Sequence, residues 1–318
     1  MRDGYALVPG VASNPELDAA PPVRPGGVWD PQTRFIEPAS RLTGRTLDTR
    51  YLLGELIGSG GMAFVYRATD EETGETVAVK VLTSRLAADP ESIARLRREA
   101  ALAMRLDHPG VCHIVAAGSD RGLHYLVMPL LIGESLAARE GRECPLPIAE
   151  VLDILAQLCA GLQHAHDRGV LHRDLKPENV MLIPGNDGVR AVIMDFGLAK
   201  PAPSETEQQK ITDTGVILGT PEFMSPEQIR GFPIDSRSDQ YALAVLAFEL
   251  LTGELPFDGG TSQETMLHRL TDTPLRLRDR RPEVPEWLDA AIARALSREP
   301  AERFPNVKAL GEALGSEK

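Results

Sequence analysis

The most informative stretch of the sequence is HRDLKPEN, residues 172–179, which places a carboxylate, a cation and an amide within eight residues. It follows a long amphipathic helical pattern, and Pro177 keeps the stretch itself from continuing as a helix. Twenty-one positions after Asp174, the apolar run 192–194 leads into the tripeptide Asp-Phe-Gly, which begins at Asp195. A carboxylate at a strand end, with a glycine close behind it, is suited to hold Mg²⁺, a hard ion that favours oxygen ligands. Asp195 is therefore a candidate metal ligand.

Two features upstream point to a phosphate-bearing ligand. Between strands predicted at 51–57 and 63–69, residues 58–65 read GSGGMAFV, and glycines let a backbone approach phosphates closely. The spacing is G-x-G-x-x-A and lacks the G-K-[ST] of a P-loop, which disfavours a Walker site. A further strand at 75–82 carries Lys80, which could pair with Glu99 on a helix predicted at 92–106. Taken alone, these two features would also be explained by an ordinary glycine-rich hairpin loop and a lysine at the protein surface.

The composition of the chain changes near residue 45. Residues 1–44 are rich in proline, alanine and glycine, and their apolar residues follow neither a strand nor a helix period. We expect this segment to be a proline-rich, disordered N-terminal extension. Residues 45–316 form the globular part of the chain.

The order of patterns in the globular part predicts an α+β fold with two lobes. A small β-rich N-lobe covers about 45–130 and includes two further extended runs within 122–131. A larger α-helical C-lobe covers about 131–316. Its helices are predicted at 148–168, 237–252, 261–270, 285–297 and 305–315.

Charge and composition exclude several classes of protein. The chain of 318 residues has 34 basic and 46 acidic side chains, a net charge of −12, which argues against a nucleic-acid partner. Its three cysteines form no CxxC pair, so neither a disulfide framework nor a zinc site is indicated. There is no uninterrupted apolar window of about 18 residues and no secretory signal pattern. A cytoplasmic protein without a membrane span is expected.

Taken in order, the motifs resemble the signature set of protein kinases: glycine-rich loop, V-A-V-K, H-R-D-L-K-x-x-N and D-F-G. The stretch GTPEFMSPE at 219–227 is similar to the end of that family's activation segment. Through GGMAFVYRA and MSPEQ, the chain most closely resembles bacterial eukaryotic-like (Hanks-type) serine/threonine kinases. The resemblance covers about residues 46–315 and implies a two-lobed protein-kinase-like fold.

The resemblance implies an enzyme that transfers the γ-phosphate of ATP to serine and threonine hydroxyls of protein substrates. Asp174 would accept the hydroxyl proton and Lys176 would neutralise the γ-phosphate. Lys80, oriented by Glu99, would grip the α- and β-phosphates. Two residues would coordinate Mg²⁺, with Mn²⁺ as an alternative ion: Asn179 and Asp195.

The same resemblance assigns a nucleotide pocket. Val65 and Ala78 would form its roof and Met181 its floor, while Met128 would gate its back. Near the adenine, Pro129 would offer a carbonyl and Leu131 an N–H. The full set of nucleotide-binding positions is Ile57, Gly58, Ser59, Gly60, Gly61, Met62, Ala63, Val65, Ala78, Lys80, Met128, Pro129, Leu131 and Met181.

Regulatory positions follow from the resemblance too. Thr212 and Thr214 match a T-x-T pair that related bacterial kinases autophosphorylate. A kinase–kinase dimer would allow transfer from one copy of the chain to the other. Arg173 would pair with the added phosphate. Thr220 would help to place the substrate hydroxyl. A buried ion pair between Glu227 and Arg303 would fasten the activation segment. The structural or regulatory set is Arg173, Phe196, Gly197, Thr220, Glu227, Asp239 and Arg303.

The sequence departs from the family pattern at three places and leaves three alternative functions. Ala63 replaces the third glycine, Ser225 replaces alanine in A-P-E, and the packing after Asp239 is altered, but no catalytic group is lost. A pseudokinase would be expected to lack one of the catalytic side chains. A small-molecule phosphotransferase of related fold would lack the 219–227 segment. Signalling through the proline-rich tail is a third possibility.

Overall fold

The computed structural model describes residues 42–60, 63–82, 98–185, 188–196, 221–257 and 259–315. These residues fall into two compact units. We call one the strand unit, with described residues 42–60, 63–82, 98–104 and 113–131. The other is the helical unit, with described residues 105–112, 132–185, 188–196, 221–257 and 259–315.

The strand unit is a six-stranded antiparallel sheet in the order β1-β2-β3-β4-β6-β5. One face is packed by alternating residues, among them Tyr66, Val79 and Val127, whose side chains are fully buried. Residues 98–103 are helical. The strands are β1 Thr46–Leu47, β2 Tyr51–Ser59, β3 Ala63–Asp70, β4 Thr76–Leu82, β5 Ala116–Asp120 and β6 Leu123–Pro129.

Three predicted strands, 51–57, 63–69 and 75–82, are confirmed as β2, β3 and β4. Of the two extended runs predicted within 122–131, one is confirmed as β6; the other is wrong in position, since β5 lies earlier, at Ala116–Asp120. The turn between β5 and β6 is made by Arg121 and Gly122, both with left-handed backbone angles (φ 48° and 83°). Sequence AAGSD of β5 has small, polar side chains and no apolar alternation, because it forms the sheet edge. Of the helix predicted at 92–106, residues 92–97 lie outside the described residues.

The helical unit is organised around one long buried helix, α4, which packs against α2, α6, α7 and α8. A three-stranded antiparallel sheet, in the order β7-β8-β9, lies beside α2. Short 3₁₀ turns occur at Pro177–Asn179, Pro221–Phe223 and Pro300–Glu302. The helices are α1 Leu136–Arg142, α2 Ile148–His166, α3 Pro226–Arg230, α4 Ser236–Thr252, α5 Ser262–Thr271, α6 Leu277–Arg280, α7 Glu286–Ala295 and α8 Val307–Leu314. The strands are β7 Glu134–Ser135, β8 Val180–Gly185 and β9 Gly188–Ile193.

The five long helices predicted for this part of the chain are confirmed as α2, α4, α5, α7 and α8. In α2 the apolar residues recur at helical spacing, so one face is buried along its whole length. Helices α1, α3 and α6 were not predicted, because four to seven residues show too little periodicity to be distinguished from a loop. Ser135 and Ser225 cap α1 and α3, and in α6 the Leu277 N–H donates to the Asp289 carboxylate at 2.9 Å.

The limits of the two units differ from the predicted lobes in two places. Residues 105–112 belong to the helical unit, since Cys112 N donates to Ile193 O (2.8 Å) and Ile193 N donates to Gly110 O (2.9 Å). At the other end, Leu42 is 2% exposed and Gly44 N donates to Leu53 O (2.7 Å), so the strand unit begins before residue 45. Among the described residues, no helix has the length and apolarity that a membrane crossing requires. The three cysteines are free thiols.

Candidate functional site

One buried carboxylate, that of Asp239, anchors the backbone of the loop 172–179. Asp239, on the first turn of α4, accepts hydrogen bonds from the backbone N–H groups of His172 and Arg173, both at 2.8 Å. It also shares a 2.7 Å hydrogen bond with His166 Nε2 at the end of α2. Burial acts to raise the pKa of Asp239, but His166 and the amide of His172 outweigh it and hold that pKa below its ordinary value. Asp239 is therefore ionised and fixes the loop's backbone.

Arg173 has a left-handed backbone conformation, with φ of 65°. Such a conformation is unfavourable for a residue with a side chain and persists where surrounding contacts impose it. Here the bond to Asp239 holds the N–H of Arg173, and Gln228 Nε2 donates to its carbonyl at 3.0 Å. The next residue, Asp174, is half-buried and its N–H donates to His172 Nδ1 at 3.3 Å. Strain and anchoring together set the position of Asp174.

Asn179 connects this loop to the one that follows β9. Its side-chain Nδ2 donates to Asp174 O (2.8 Å), and its own carbonyl accepts from Met194 N (2.8 Å). His172 Nε2 donates to Met194 O at 2.8 Å. The amide group of Asn179 is thus oriented, with its Nδ2 committed to the loop and its oxygen left as a ligand atom.

Asp195 and Phe196 follow directly. Asp195 has a φ of 57°, a second left-handed residue at this site. The Phe196 ring is 4% exposed and meets the His172 ring edge-on at 4.9 Å between centroids. Because Met194 is bonded to both Asn179 and His172, the start of the Asp-Phe-Gly motif is tied to the loop of Asp174.

The donor atoms of Asn179 and Asp195 fit Mg²⁺, which prefers carboxylate and amide oxygens. Among the residues that the structure describes, no group of three or more histidine, cysteine, aspartate or glutamate side chains could enclose a metal. A magnesium ion held by one carboxylate and one amide keeps coordination positions for phosphate and water. The site is suited to an ion that arrives with a phosphorylated ligand.

A small cavity adjoins Asp174. Besides Asp174 it is lined by Phe223 and Met224, by Gln228 of α3 and by Asp239. Residues 223–224 of the segment that ends at Ser225 therefore lie beside the carboxylate that the sequence singled out.

In the strand unit, the glycine-rich stretch joins β2 to β3. Gly58 pairs with Val65, and Gly60 N donates to Ala63 O at 2.9 Å. Lys80 is half-buried on β4, opposite Val65 on one side, while Ala78 lies opposite Met128 of β6 on the other. Residues that were predicted to contact a nucleotide are thus neighbours in this sheet.

The remaining predicted residues are placed as follows. Glu99 lies in the helical segment 98–103, and its ion pair with Lys80 stays a prediction. Met181 is buried on β8 opposite Val192, and Lys176 is half-buried at the entry to a 3₁₀ turn. Ile57 and Ser59 lie on β2, Pro129 ends β6 and Leu131 follows it. Six predicted residues lie outside the described residues: Gly61, Met62, Gly197, Thr212, Thr214 and Thr220.

The ion pair expected between Glu227 and Arg303 is formed. The guanidinium donates to both carboxylate oxygens at 2.8 Å, with side-chain exposures of 6% for Glu227 and 0% for Arg303. Ser238 Oγ adds a 2.6 Å hydrogen bond to the carboxylate. Burial acts to raise the pKa of Glu227, but the Arg303 guanidinium prevails and holds it below its ordinary value. The pair joins α3 to the turn before α8.

Sequence reasoning missed three polar residues that support this site: His166, Gln228 and Arg269. Gln228 carried a signal, because Ser225 and Gln228 have the S-x-x-Q spacing of a capping box, which the structure contains. His166 lies at the end of an amphipathic helix, where its burial depends on α4. Arg269 lies in the polar sequence of α5, and nothing in that sequence distinguishes it from a surface arginine.

Comparisons with known proteins agree with this geometry. Residues 51–312 match the protein kinase domain. The chain is 38% identical over 270 residues to serine/threonine-protein kinase pkn3 of Myxococcus xanthus, which covers 84% of this chain and 49% of that protein. The chain thus spans about half the length of this curated relative.

Solved structures give the same picture. The kinase domain of Mycobacterium tuberculosis PknI matches with a TM-score of 0.69 and 31% identity, covering 87% of this chain and 99% of that one. The crystal structure of Rad53 in complex with AMP-PNP matches with a TM-score of 0.68 and 25% identity, covering 82% and 64%.

Proposed function

The chain belongs to the protein kinase family, and on that premise we propose that it is an ATP-dependent serine/threonine protein kinase. The observation that carries the proposal is the anchored set Asp174, Asn179 and Asp195, each on a loop whose backbone is held by named hydrogen bonds. Phosphoryl transfer needs positioning and charge neutralisation more than covalent help from the protein, and this set supplies both. The serine/threonine relatives support the class of substrate.

Asp174 is the proposed base. The substrate hydroxyl oxygen bonds to the γ-phosphorus as the bond to the β–γ bridging oxygen breaks, and its proton passes to the Asp174 carboxylate. Lys176, two residues on, would neutralise charge on the γ-phosphate. The position of Phe223 and Met224 beside Asp174 supports this assignment, since they belong to the segment that the family resemblance associates with protein substrates.

Asn179 and Asp195 are the proposed magnesium ligands. Mg²⁺ or Mn²⁺, when bound, would neutralise charge on the phosphate oxygens. The hydrogen bond from Asn179 Nδ2 to Asp174 O keeps the amide oxygen and the base in one fixed relation.

The nucleotide would use the sheet residues assigned above. We propose that the backbone of the glycine-rich stretch around Gly58 and Gly60 approaches the phosphates closely and that Lys80, aided by Glu99, neutralises their charge. The Rad53 neighbour binds an ATP analogue, which supports ATP as the donor. Val65, Ala78 and Met181 are apolar, as contact with a stacked base requires.

Autophosphorylation at Thr212 and Thr214 is proposed as the control of activity, with transfer between two copies of the chain as its route. Arg173 would pair with the added phosphate and Thr220 would place the acceptor hydroxyl. Mass mapping of the wild-type chain against Thr212→Ala/Thr214→Ala tests this. Loss of phosphate from that peptide is expected, and unchanged phosphate stoichiometry would contradict it. We also propose a cytoplasmic location and no nucleic-acid partner, supported by the free thiols and the negative charge.

The kinase proposal is tested by incubating the whole chain with γ-labelled ATP and Mg²⁺, alone and with myelin basic protein. Label on serine or threonine is expected, and Asp174→Asn should reduce it by at least a hundredfold. Asp153→Asn, a change of the same kind on α2, is the control and should leave the rate within twofold. Nucleotide binding without transfer, with both Mg²⁺ and Mn²⁺ tried, would refute the proposal.

A further inference from the structure

Arg269 is a buried arginine on α5, with 1% of its surface exposed. Its guanidinium donates three hydrogen bonds, all to backbone carbonyls of one short segment. Nη1 donates to Pro221 O (2.7 Å) and Met224 O (2.8 Å), and Nη2 donates to Glu222 O (2.5 Å). One side chain therefore binds the backbone carbonyls of Pro221, Glu222 and Met224. We call residues 221–224 the 221–224 turn.

This arrangement is an expensive way to stabilise a fold. A buried charge needs a paired carboxylate or full hydrogen bonding, and Arg269 Nε has no hydrogen-bond partner within the part of the chain described. Burial lowers the pKa of the guanidinium, while the Tyr241 phenol group and the Glu222 carboxylate act against that shift. The rings of Tyr241 and Phe257 lie within 5.8 Å and 5.7 Å of the cation. An apolar side chain would avoid this desolvation cost but would leave the three carbonyls without donors, so the arginine specifies the conformation of the turn.

The 221–224 turn leads to the reaction centre. Phe223 and Met224 line the cavity beside Asp174. The next residue, Ser225, caps α3 and begins the stretch that the Glu227 ion pair fastens. A shift of the turn would displace Phe223 and Met224, which lie beside Asp174.

We propose that Arg269 is a positioning residue for the protein substrate: by gathering the carbonyls of the 221–224 turn, it sets the backbone along which the acceptor peptide lies. The inference rests on the proposed kinase function. The positioning role requires the planar guanidinium, because its two terminal nitrogens reach three carbonyls that lie in different directions. Lysine carries the same charge at a single nitrogen and cannot span them.

Arg281 provides a matched control. Its Nη1 also donates to two backbone carbonyls, of Leu146 (2.7 Å) and Leu251 (3.0 Å), and its side chain is 17% exposed. It belongs to the same helical unit but makes no bond to the 221–224 turn. Arg281→Met therefore removes a comparable set of bonds and leaves the proposed substrate path intact.

The experiment compares the whole wild-type chain with Arg269→Lys, Arg269→Met and Arg281→Met. Two protein substrates are used, myelin basic protein and the full chain carrying Asp174→Asn. KM and kcat are measured for protein and for ATP, together with ATP hydrolysis in the absence of protein. We expect both Arg269 variants to lower kcat/KM for protein at least tenfold, with KM for ATP and the hydrolysis rate within twofold. Arg281→Met should leave kcat/KM for protein, KM for ATP and the hydrolysis rate within twofold.

Hydrogen–deuterium exchange keeps the test decisive if Arg269→Met is unstable. In Arg269→Lys, amides of 221–228 should exchange at least tenfold faster while those of α4 and α7 stay unchanged. Equal acceleration everywhere, or loss of protein and ATP kinetics in the same proportion, would overturn the inference and leave a structural role. Unchanged protein kinetics would overturn it too. A wild-type chain that labels neither substrate refutes the proposed function instead, and this inference with it.

Discussion

Replacing Arg303 by methionine perturbs the best-defined ion pair of the helical unit. The guanidinium makes two bonds to Glu227 at 2.8 Å and further bonds to the carbonyls of Ser297 (2.9 Å), Arg237 (2.8 Å) and Arg298 (3.1 Å). Methionine has a similar length and can keep the contact with neighbouring apolar groups. It leaves the Glu227 carboxylate buried without its cation and three carbonyls without their donor.

The magnitude follows from these contacts. Breaking a buried ion pair by removing one partner costs about 3–5 kcal/mol, because the remaining charge is left uncompensated. For a domain of this size, 1 kcal/mol corresponds to a shift of about 2–4 °C in Tm, so Arg303→Met should lower Tm by about 10 °C.

The loss should depend on pH. In the wild type, the pKa of Glu227 lies below its ordinary value of 4.5, so its ionisation stabilises the fold above that value and the contribution is lost as pH falls. In Arg303→Met, burial acts on Glu227 without the guanidinium, and the pKa of the carboxyl should rise above 4.5. Ionisation of Glu227 then destabilises the folded variant, so the free energy of unfolding of Arg303→Met falls as pH increases. The Tm difference between the two proteins should therefore widen from pH 5 to pH 8.

The assay is thermal unfolding followed by circular dichroism at both pH values. Lys308→Met is the control, since its pair with Glu312 is 3.9 Å long and about 70% exposed on both sides, and we expect a change below about 0.5 kcal/mol. Adding Glu227→Gln to Arg303→Met should remove the pH dependence. A Tm within 2 °C of wild type, or a difference that does not vary with pH, would show that the reasoning about this pair is wrong.

Three further outcomes are expected. Burial, with carboxylates nearby, raises the pKa of Glu249 from its ordinary 4.5 to about 8, so the fold loses stability as pH rises through this range. Glu249→Gln should therefore raise the free energy of unfolding by roughly 2 kcal/mol at pH 8 and leave it unchanged at pH 5. An equal gain at both pH values would contradict this. A Cβ on Gly133 would lie 2.2 Å from the backbone oxygen of Leu182, so Gly133→Ala should destabilise by about 3 kcal/mol in urea unfolding, whereas Gly141→Ala, in α1 with open space around it, should stabilise by about 0.5–1 kcal/mol. Asp239→Asn offers one acceptor oxygen where two backbone amides need one each, so phosphate transfer should fall at least tenfold with Tm lowered; full activity would count against the anchoring role.

Much of the site could be read from short motifs because each combines residue types that one chemistry needs within a few positions. Asp174 of HRDLKPEN and Asp195 of Asp-Phe-Gly are 21 positions apart in sequence, yet hydrogen bonds through Met194 bring the two motifs together. The pairing of Glu227 with Arg303 was also predicted, from two separate family-like contexts. In contrast, β5 was misplaced, since an edge strand of small polar residues has no apolar alternation to reveal it.

From sequence alone, strands β2, β3, β4 and β6 of the large sheet, the five long helices and the resemblance to protein kinases could be predicted. These follow from local properties, namely hydrophobic period, turn residues and motif spacing, which act over a few residues. The tertiary structure alone decided which polar residues are buried and what they hold. Asp239 lies 66 residues from the Arg173 amide that it anchors, and Arg269 lies 45 to 48 residues from the carbonyls of Met224 and Pro221 that it gathers. Burial of a charge depends on helices that meet after folding, so no local pattern separates such an arginine from one on the surface.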